Sequence, residues 1–136
     1  MSAQILDGLG LARQIRTALQ ERTKALREAG VSPRLEVIVA TQDPASVAYV
    51  RMKRKWCELA GLESGAFEVG PDTTQAQLLD QIRRLNDDPR VHGVLIQHPL
   101  PKHLDEQEAL LTLGAEKDVD GITPQSLGRL VAGLPG

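Results

Sequence analysis

The sequence predicts an α/β domain with three layers, α/β/α, in which helices cover both faces of a mainly parallel sheet. Two short runs, over residues 35–40 and 93–97, are almost continuously apolar, which is typical of strands covered on both faces. Longer segments with apolar residues at helical spacing alternate with such runs along the chain. Strands that alternate with helices form parallel sheets, because each helix carries the chain back to the same end of the sheet.

The composition fits one globular domain. The chain has 136 residues, of which 41% are apolar and 25% are charged, and it contains a single Phe, Tyr and Trp. Its core must therefore consist mainly of aliphatic side chains. We expect residues 1–132 to form the domain and residues 133–136 to begin a linker, because the chain ends in Gly-Leu-Pro-Gly.

Charge and cysteine content argue against several classes of function. The net charge is −2, and no Lys/Arg cluster is accompanied by the aromatic residues that would stack on nucleic-acid bases. The lone cysteine, Cys57, excludes an internal disulfide framework, and the first residues resemble neither a signal peptide nor a membrane segment. We therefore expect a cytoplasmic protein without nucleic-acid or membrane partners.

The first part of the chain predicts two helices around a strand. Residues 7–29 place apolar side chains at helical spacing and are followed by a glycine, which predicts an amphipathic helix. Residues 35–40 follow as a mostly buried strand. The next helix should begin at Asp43, a good N-cap residue, with Pro44 in its first turn, and end near Gly61.

The rest of the chain continues the alternation. Residues 65–69 predict a short strand before a turn at Pro71. Thr74 and Gln77 match a capping box at the start of a third helix. The remaining predicted elements are a strand over 93–97, a stiff proline-rich loop over 98–101, a short helix over 105–113, a loop over 116–121 and a helix from Thr123-Pro124 to Leu130.

Three polar side chains share one face of the helix that begins at Asp43. At about 100° per residue, Ser46, Tyr49 and Lys53 fall within an arc of about 60°. A lysine held in a partly dry cleft can act as an acid/base, because burial disfavours the ammonium ion. Alternatively, Lys53 is a surface lysine on a basic helix, and Ser46 is an ordinary residue of the first helical turn. The Tyr-x-x-x-Lys pattern of short-chain dehydrogenases is also present, but their glycine-rich loop and upstream serine are missing.

Further candidates lie near the carboxyl ends of predicted strands, where open α/β sheets bind ligands. Gln97 ends an apolar run, and its amide either orients a neighbouring lysine or ligand or simply caps the strand. Asp118 and Asp120 share a loop in which one carboxylate should form the turn and the other should face solvent or a ligand. Cys57, one turn beyond Lys53, is either an activated thiolate or a core residue. The second alternative is favoured, because the sequence places no histidine as its partner. The histidines lack metal-ligand spacing, so we expect no metal site.

Three ordered motifs carry a specific resemblance. They are Asp43-Pro-Ala-Ser-x-x-Tyr49-x-x-x-Lys53-Arg-Lys, then Gly93-Val-Leu-Ile-Gln97-His-Pro-Leu-Pro101-Lys-His, and Glu116-Lys-Asp-Val-Asp120-Gly121-Ile-Thr-Pro followed by Gly128-Arg-Leu-x-x-Gly. Together they resemble the N-terminal, folate-binding domain of the bifunctional methylenetetrahydrofolate dehydrogenase/methenyltetrahydrofolate cyclohydrolase family. The resemblance covers nearly the whole chain. The chain departs from the family pattern at Thr41-Gln42, at Trp56 and at His98, where Leu is common.

The resemblance implies a role for each matching residue. The lysine that matches Lys53 is the acid/base, and the glutamine that matches Gln97 positions it. The aromatic ring of Tyr49 packs against the folate, and Asp120 holds the pterin. The implied catalytic residues are thus Lys53, Gln97 and Tyr49, and these bind substrate together with Pro99, Leu100 and Asp120, supported by Ser46.

The resemblance also implies a reaction and its partners. The family oxidises 5,10-methylenetetrahydrofolate to 5,10-methenyltetrahydrofolate with NADP and hydrolyses the product to 10-formyltetrahydrofolate. NADP binds to a C-terminal Rossmann-like domain that is absent from this chain, so we expect these residues alone to lack dehydrogenase activity. The full-length enzyme is expected to be a homodimer. The alternative is a stand-alone, non-catalytic folate-binding module.

Overall fold

A computed structural model of the protein describes residues 6–40 and 44–135, and the described side chains exclude those of residues 44–47 and 49. Helices and strands alternate through this part of the chain. The helices are α1 (Gly8–Glu28), α2 (Pro44–Ala60), α3 (Gln75–Asp87), α4 (Glu106–Thr112) and α5 (Pro124–Val131), and the strands are β1 (Arg34–Ala40), β2 (Glu63–Val69) and β3 (Gly93–Ile96). A short 3₁₀ helix, Ala115–Lys117, overlaps the segment predicted as a loop.

The described strands form one parallel sheet in the order β2-β1-β3. β1 pairs with β2 along its whole length, from Arg34 opposite Glu63 to Ala40 opposite Val69, and it also pairs with β3. The chain moves from β1 to β2 through α2 and returns to the far side of β1 through α3. The carboxyl ends of β1 and β3 therefore form a topological switch point, where open α/β sheets place their crevice.

Successive strand residues pack into opposite layers. On β1, Val37 and Val39 join a small apolar cluster beneath α2, whereas Ile38 joins the larger cluster that α3 and α4 cover. On β3, Leu95 belongs to the first cluster and Ile96 to the second. This division follows from the two-residue period of a strand, which sends neighbouring side chains to opposite faces. The predicted three-layer α/β arrangement is confirmed.

The ends of the helices follow the local signals in the sequence. The capping box at α3 is present, since the Thr74 N–H donates to Oε1 of Gln77 at 2.8 Å and the Thr74 hydroxyl accepts from the Gln77 N–H. α2 ends at Ala60 and is followed by Gly61, whose φ of 79° is strained for a residue with a Cβ. The predicted N-cap of α2, Asp43, lies outside the described residues.

α1 forms where its apolar spacing predicts it, but most of its apolar side chains stay exposed in the described part of the chain. Leu11 is 57% exposed and Ile15 is 52% exposed. The buried residue of α1 is polar: the hydroxyl of Thr23 donates to the carbonyl O of Ala60 at 2.6 Å. The amphipathic pattern therefore predicts the helix correctly but does not say what covers its apolar face.

Candidate functional site

The candidate site lies at the switch point between β1 and β3. β1 leads toward α2, which carries Lys53, and β3 leads directly into a loop that begins with Gln97. Because parallel strands end at the same edge of the sheet, the fold brings together two residues that are 44 positions apart in the chain.

A hydrogen bond joins these two residues. Nζ of Lys53 donates to Oε1 of Gln97 at 3.1 Å, and both side chains are partly buried. Partial burial reduces competition from water, so this bond restricts the direction of the amine more than an exposed bond would. Gln97 is thus within reach to orient the lysine.

The strand before Gln97 sets the direction of its side chain. Leu95, two residues earlier, packs beneath α2, and residues two apart on a strand share a face. The Gln97 N–H donates to the carbonyl O of Ile38 at 2.8 Å, which continues the β1–β3 pairing. Its side-chain NH₂ donates to the carbonyl O of His98 at 3.0 Å. With its nitrogen engaged in this way, the amide presents its oxygen to Lys53.

Glu106, which none of the sequence motifs indicated as functional, holds the loop that follows Gln97. One of its carboxylate oxygens accepts from the Leu100 N–H at 2.9 Å, and the other lies 2.8 Å from Nδ1 of His98. The Leu100 side chain is buried in the larger core cluster, and Pro99 is exposed at the turn. The available signal was position, because acidic residues in the first turn of a helix often bind main-chain N–H groups.

The backbone of α2 carries Ser46 and Tyr49 at helical spacing from Lys53. α2 is continuous from Pro44 to Ala60, so the three residues share one side of the helix as predicted. The side chains of Ser46 and Tyr49 lie outside the described part of the structure. Lys53 is therefore the member of this trio whose side-chain contacts are described.

The acidic loop after the 3₁₀ helix gives its two aspartates different roles. The Asp118 carboxylate accepts from the N–H groups of Gly121 at 2.9 Å and Thr123 at 2.8 Å. Burial raises the pKa of Asp118, but hydrogen bonds from the Thr123 N–H and hydroxyl, from the Ser126 hydroxyl and from another main-chain N–H outweigh it, so the pKa lies below its ordinary value. Asp120 is exposed, and its carboxylate makes no hydrogen bond or ion pair with the described residues. Asp118 forms the turn, and Asp120 is open to a ligand.

The same loop runs beside β3. Asp118 forms an isolated parallel bridge with Val94, so the chain continues from Asp118 toward the carboxyl end of β3, where Gln97 lies. Gly93 permits this approach, since a Cβ at that position would lie 2.5 Å from Cγ1 of Val119. The fold therefore directs the acidic loop toward the end of the sheet that holds Lys53 and Gln97.

Cys57 follows Lys53 on α2 but belongs to the interior. Its side chain is 7% exposed. Burial raises the pKa of the Cys57 thiol, and the positive charge of Lys53 offsets only part of this increase. Because the thiolate is the nucleophilic form, the structure confirms the interpretation of Cys57 as a core residue rather than an activated thiolate.

An open groove of about 950 Å³ lies on another flank of α2, and neither Lys53 nor Gln97 lines it. Its floor includes Val39 and Val50. Its charged lining residues, all exposed, are Arg27, Arg51, Arg54, Lys55, Glu58 and Glu68. This groove is therefore distinct from the switch-point crevice. The crevice is identified as the candidate site by the hydrogen bond between Lys53 and Gln97, not by its volume.

The described residues provide no site for a metal or a dinucleotide. Over residues 6–40 and 44–135, no group of three His, Cys, Asp or Glu side chains is arranged to hold a metal ion. The segment after β1 reads Thr-Gln-Asp-Pro and the segment after β3 reads Gln-His-Pro, and neither is a glycine-rich phosphate loop. In the same part of the chain, no helix has both the length and the apolar character needed to cross a bilayer.

Comparison with known protein families gives a match over most of the chain. The model of the family described as tetrahydrofolate dehydrogenase/cyclohydrolase, catalytic domain, matches residues 6–120. The bifunctional protein FolD of Moorella thermoacetica is 44% identical over 133 residues, which are 98% of this chain and 48% of that protein. The FolD protein of Variovorax paradoxus is 45% identical over 136 residues, 100% of this chain and 48% of that protein. The chain thus spans about half the length of these relatives.

Solved structures show the same partial coverage. The bifunctional methylenetetrahydrofolate dehydrogenase/cyclohydrolase FolD of Campylobacter jejuni aligns with a TM-score of 0.96 at 38% identity, covering 99% of this chain and 48% of that one. The methylenetetrahydrofolate dehydrogenase-cyclohydrolase of Trypanosoma brucei, solved with NADP cofactor and inhibitor, aligns with a TM-score of 0.87 at 34% identity, covering 96% and 45%. The likeness therefore covers almost all of this chain and less than half of each structure.

Proposed function

This chain belongs to the tetrahydrofolate dehydrogenase/cyclohydrolase catalytic-domain family, and on that premise we propose that it is the folate-binding, acid/base-bearing domain of a bifunctional enzyme of one-carbon metabolism. The full-length enzyme oxidises 5,10-methylenetetrahydrofolate with NADP and hydrolyses the resulting 5,10-methenyltetrahydrofolate to 10-formyltetrahydrofolate. The observation that carries the proposal is the 3.1 Å hydrogen bond between Lys53 and Gln97 at the switch point. A lysine that served only solubility would need no such partner.

The hydrolysis needs a group that moves protons. The methenyl carbon is cationic, and a water molecule that adds to it must lose a proton. The carbon–nitrogen bond that then opens needs a proton on the departing nitrogen, so the net reaction consumes one water and releases one proton. A positioned amine can take the first proton and deliver the second. Lys53 fills this role, and Gln97 keeps Nζ pointed at the reacting carbon.

The remaining site residues form the folate-binding surface in this proposal. Tyr49 supplies an aromatic wall for the flat ring system. Asp120, whose carboxylate is exposed, accepts hydrogen bonds from the paired N–H donors of the amino-pyrimidinone edge. Pro99 lines the crevice from the turn after β3, and Leu100 contributes through its main chain because its side chain is buried in the core. Ser46 supports the first turn of α2.

The hydride step is not assigned to residues of this chain. NADP accepts the hydride when it is bound, but the described residues provide no phosphate loop to hold it, so we assign NADP to the second half of the full-length enzyme. The proposal treats residues 1–132 as the domain and residues 133–136 as the start of the linker to that half. It also includes a homodimer and a cytoplasmic location for the full-length enzyme. The alternative of a non-catalytic folate module is not favoured, because the similar proteins are bifunctional enzymes.

The proposal is tested by a matched pair of lysine substitutions in the full-length enzyme. Lys53→Ala removes the amine that binds Gln97, whereas Lys55→Ala removes an exposed amine of the same helix that lines the other groove. Hydrolysis of 5,10-methenyltetrahydrofolate is followed by its absorbance. We expect Lys53→Ala to lower kcat by about 100-fold or more, and Lys55→Ala to leave it within about twofold. Undiminished turnover in Lys53→Ala would remove Lys53 from the mechanism.

A further inference from the structure

The geometry points to Glu106 as a positioning residue for Lys53, acting through the turn at residues 98–100 and through Gln97. This inference rests on the proposed acid/base role of Lys53. It adds a residue that lies on the opposite helical layer from α2 and that contacts neither Lys53 nor Gln97 directly in the described structure. The connection consists of four hydrogen bonds.

The first two bonds lie at Gln97. The amide oxygen of Gln97 accepts from Lys53 at 3.1 Å, and the amide nitrogen donates to the carbonyl O of His98 at 3.0 Å. The position of the His98 carbonyl therefore limits how far the amide can rotate, and with it the place of the oxygen that accepts from Lys53. A shift of the turn after β3 shifts this contact of the lysine.

Glu106 fixes that turn at two points. Its Oε2 accepts from the Leu100 N–H at 2.9 Å, and its Oε1 lies 2.8 Å from Nδ1 of His98. A carboxylate only accepts hydrogen bonds, so Nδ1 of His98 carries the proton. Nε2 of His98 is buried and has no hydrogen-bond partner among the described residues. Among the described residues, Glu106 therefore makes the hydrogen bond that orients the imidazole ring.

Glu106 is itself held in place by contacts between α3 and α4. The Asp105 N–H donates to Oε1 of Gln75 at 2.9 Å, and Nε2 of Gln75 donates to the carbonyl O of Asp105 at 3.2 Å. Leu104, just before α4, is buried in the core. The first turn of α4 is thus anchored to α3, and Glu106 transmits this position around the end of the sheet to the lysine on α2.

Removal of the Glu106 carboxylate leaves two donors, the Leu100 N–H and Nδ1–H of His98, without their acceptor. Unpaired polar groups in a partly buried turn favour a shift of the turn. Proton transfer depends steeply on geometry, so we expect Glu106→Ala to lower kcat for methenyltetrahydrofolate hydrolysis by about tenfold. The KM should also rise, because the same turn carries Pro99 and Leu100 of the proposed folate-binding surface, so the fall in kcat is the readout of the lysine position.

Glu106→Gln is the conservative variant that should rescue the effect. Its amide oxygen can accept from the Leu100 N–H while its NH₂ donates to Nδ1 of His98. This arrangement places the imidazole proton on Nε2, which is an allowed tautomer, and Nε2 has no hydrogen-bond partner among the described residues in either tautomer. Glu106→Gln should therefore keep kcat near the wild-type value and change the imidazole ¹⁵N shifts of His98 to those of the Nε2–H form. This change of tautomer reports the contact between Glu106 and His98, whereas the positioning role is tested by the Gln97 amide signals and by kcat in Glu106→Ala.

Two readouts test the inference. In this 136-residue chain, NMR follows the side-chain amide of Gln97 and the imidazole nitrogens of His98. In the full-length enzyme, kcat and KM for the hydrolysis are measured for the same variants. Glu108→Ala is the matched control, because it removes a carboxylate of the same turn that binds Gln75 instead of the loop. We expect Glu106→Ala, but not Glu108→Ala, to shift the Gln97 amide signals and lower kcat.

Unchanged Gln97 amide signals in Glu106→Ala would overturn the inference. So would an unchanged kcat in Glu106→Ala when Lys53→Ala abolishes the hydrolysis. If Glu106→Ala does not fold, Glu106→Gln decides: persistence of the Nδ1–H tautomer of His98, which leaves the Leu100 N–H without its acceptor, together with a wild-type kcat counts against the inference. Undiminished turnover in Lys53→Ala, together with Gln97 signals that respond to Glu106, would refute the proposed function and still support the positioning contact.

Discussion

Replacement of Gly93 by alanine should strain the loop that carries Asp120. Gly93 is buried, and a Cβ there would lie 2.5 Å from Cγ1 of Val119 and 3.4 Å from Cδ1 of Leu35. Nonbonded carbon atoms pack at about 3.5–4.0 Å, so Cγ1 must move by about 1 Å. The branched Val119 side chain has few alternative rotamers. We expect a loss of about 1–2 kcal/mol in the free energy of unfolding from this overpacking.

A double-mutant cycle isolates that contact. Val119→Ala removes the atom that the new Cβ would meet, and because Val119 is 51% exposed its own cost should stay below about 1 kcal/mol. The double variant should then be nearly as stable as Val119→Ala alone, which gives a coupling free energy of about 1–2 kcal/mol. Urea unfolding of the chain measures all four stabilities. Additive effects of the two substitutions would refute the steric explanation.

The same variants test whether the loop contributes to ligand binding. Calorimetric titration with a tetrahydrofolate analogue should show weaker binding in Gly93→Ala and recovery when Val119→Ala is added. Gly128→Ala is the control, since among the described residues no atom beyond the neighbouring helix backbone would lie within 4 Å of its Cβ, and alanine favours the interior of α5. Equal affinities in Gly93→Ala and wild type would argue that the position of this loop does not matter for the ligand.

Three further predictions concern individual side chains. Asp120→Ala should raise the Kd for a tetrahydrofolate analogue by about tenfold or more, as expected for loss of a charged hydrogen-bond acceptor, and an unchanged Kd would contradict its role. Hydrogen bonds lower the folded-state pKa of Asp118, so its contribution to stability should be present above the unfolded-state pKa of about 4 and be lost as the pH falls through the folded-state value. The free energy of unfolding of Asp118→Asn, measured in urea, should therefore decrease less steeply with acidification than that of wild type. Equal slopes would be evidence against this linkage. Cys57, with a raised pKa and a buried side chain, should react with a thiol reagent slowly in the native chain and rapidly in urea, whereas equal rates would contradict its burial.

Much of the fold was predictable because its signals are local. The capping box at Thr74 and the end of α2 just before Gly61 depend on contacts within one helical turn, and the sequence shows all the participating residues. The apolar runs of β1 and β3 indicated strands covered on both faces, and their alternation with helices indicated a parallel sheet. The 3₁₀ helix over Ala115–Lys117 was missed, since a short turn inside a polar loop leaves little pattern to detect.

The candidate site was predictable only in part. Helical spacing placed Lys53 on one line with Tyr49, the strand end and the acidic loop made Gln97 and Asp120 candidates, and the resemblance of three motifs gave these residues roles. Spacing alone could not distinguish a surface lysine from a partnered one. No sequence motif indicated Glu106, because its contacts with His98 and Leu100 depend on the path of the loop after β3.

The sequence by itself determined most of the segments that become helices and strands, and which chemical groups are available for the proposed folate site. Only the tertiary structure decided which of these groups meet. The 3.1 Å bond between Lys53 and Gln97 requires β3 to pair beside β1 and the side chain at the end of β3 to face α2. The physical reason is that local structure depends on neighbours three or four residues apart, whereas contacts across a sheet depend on strand order and register.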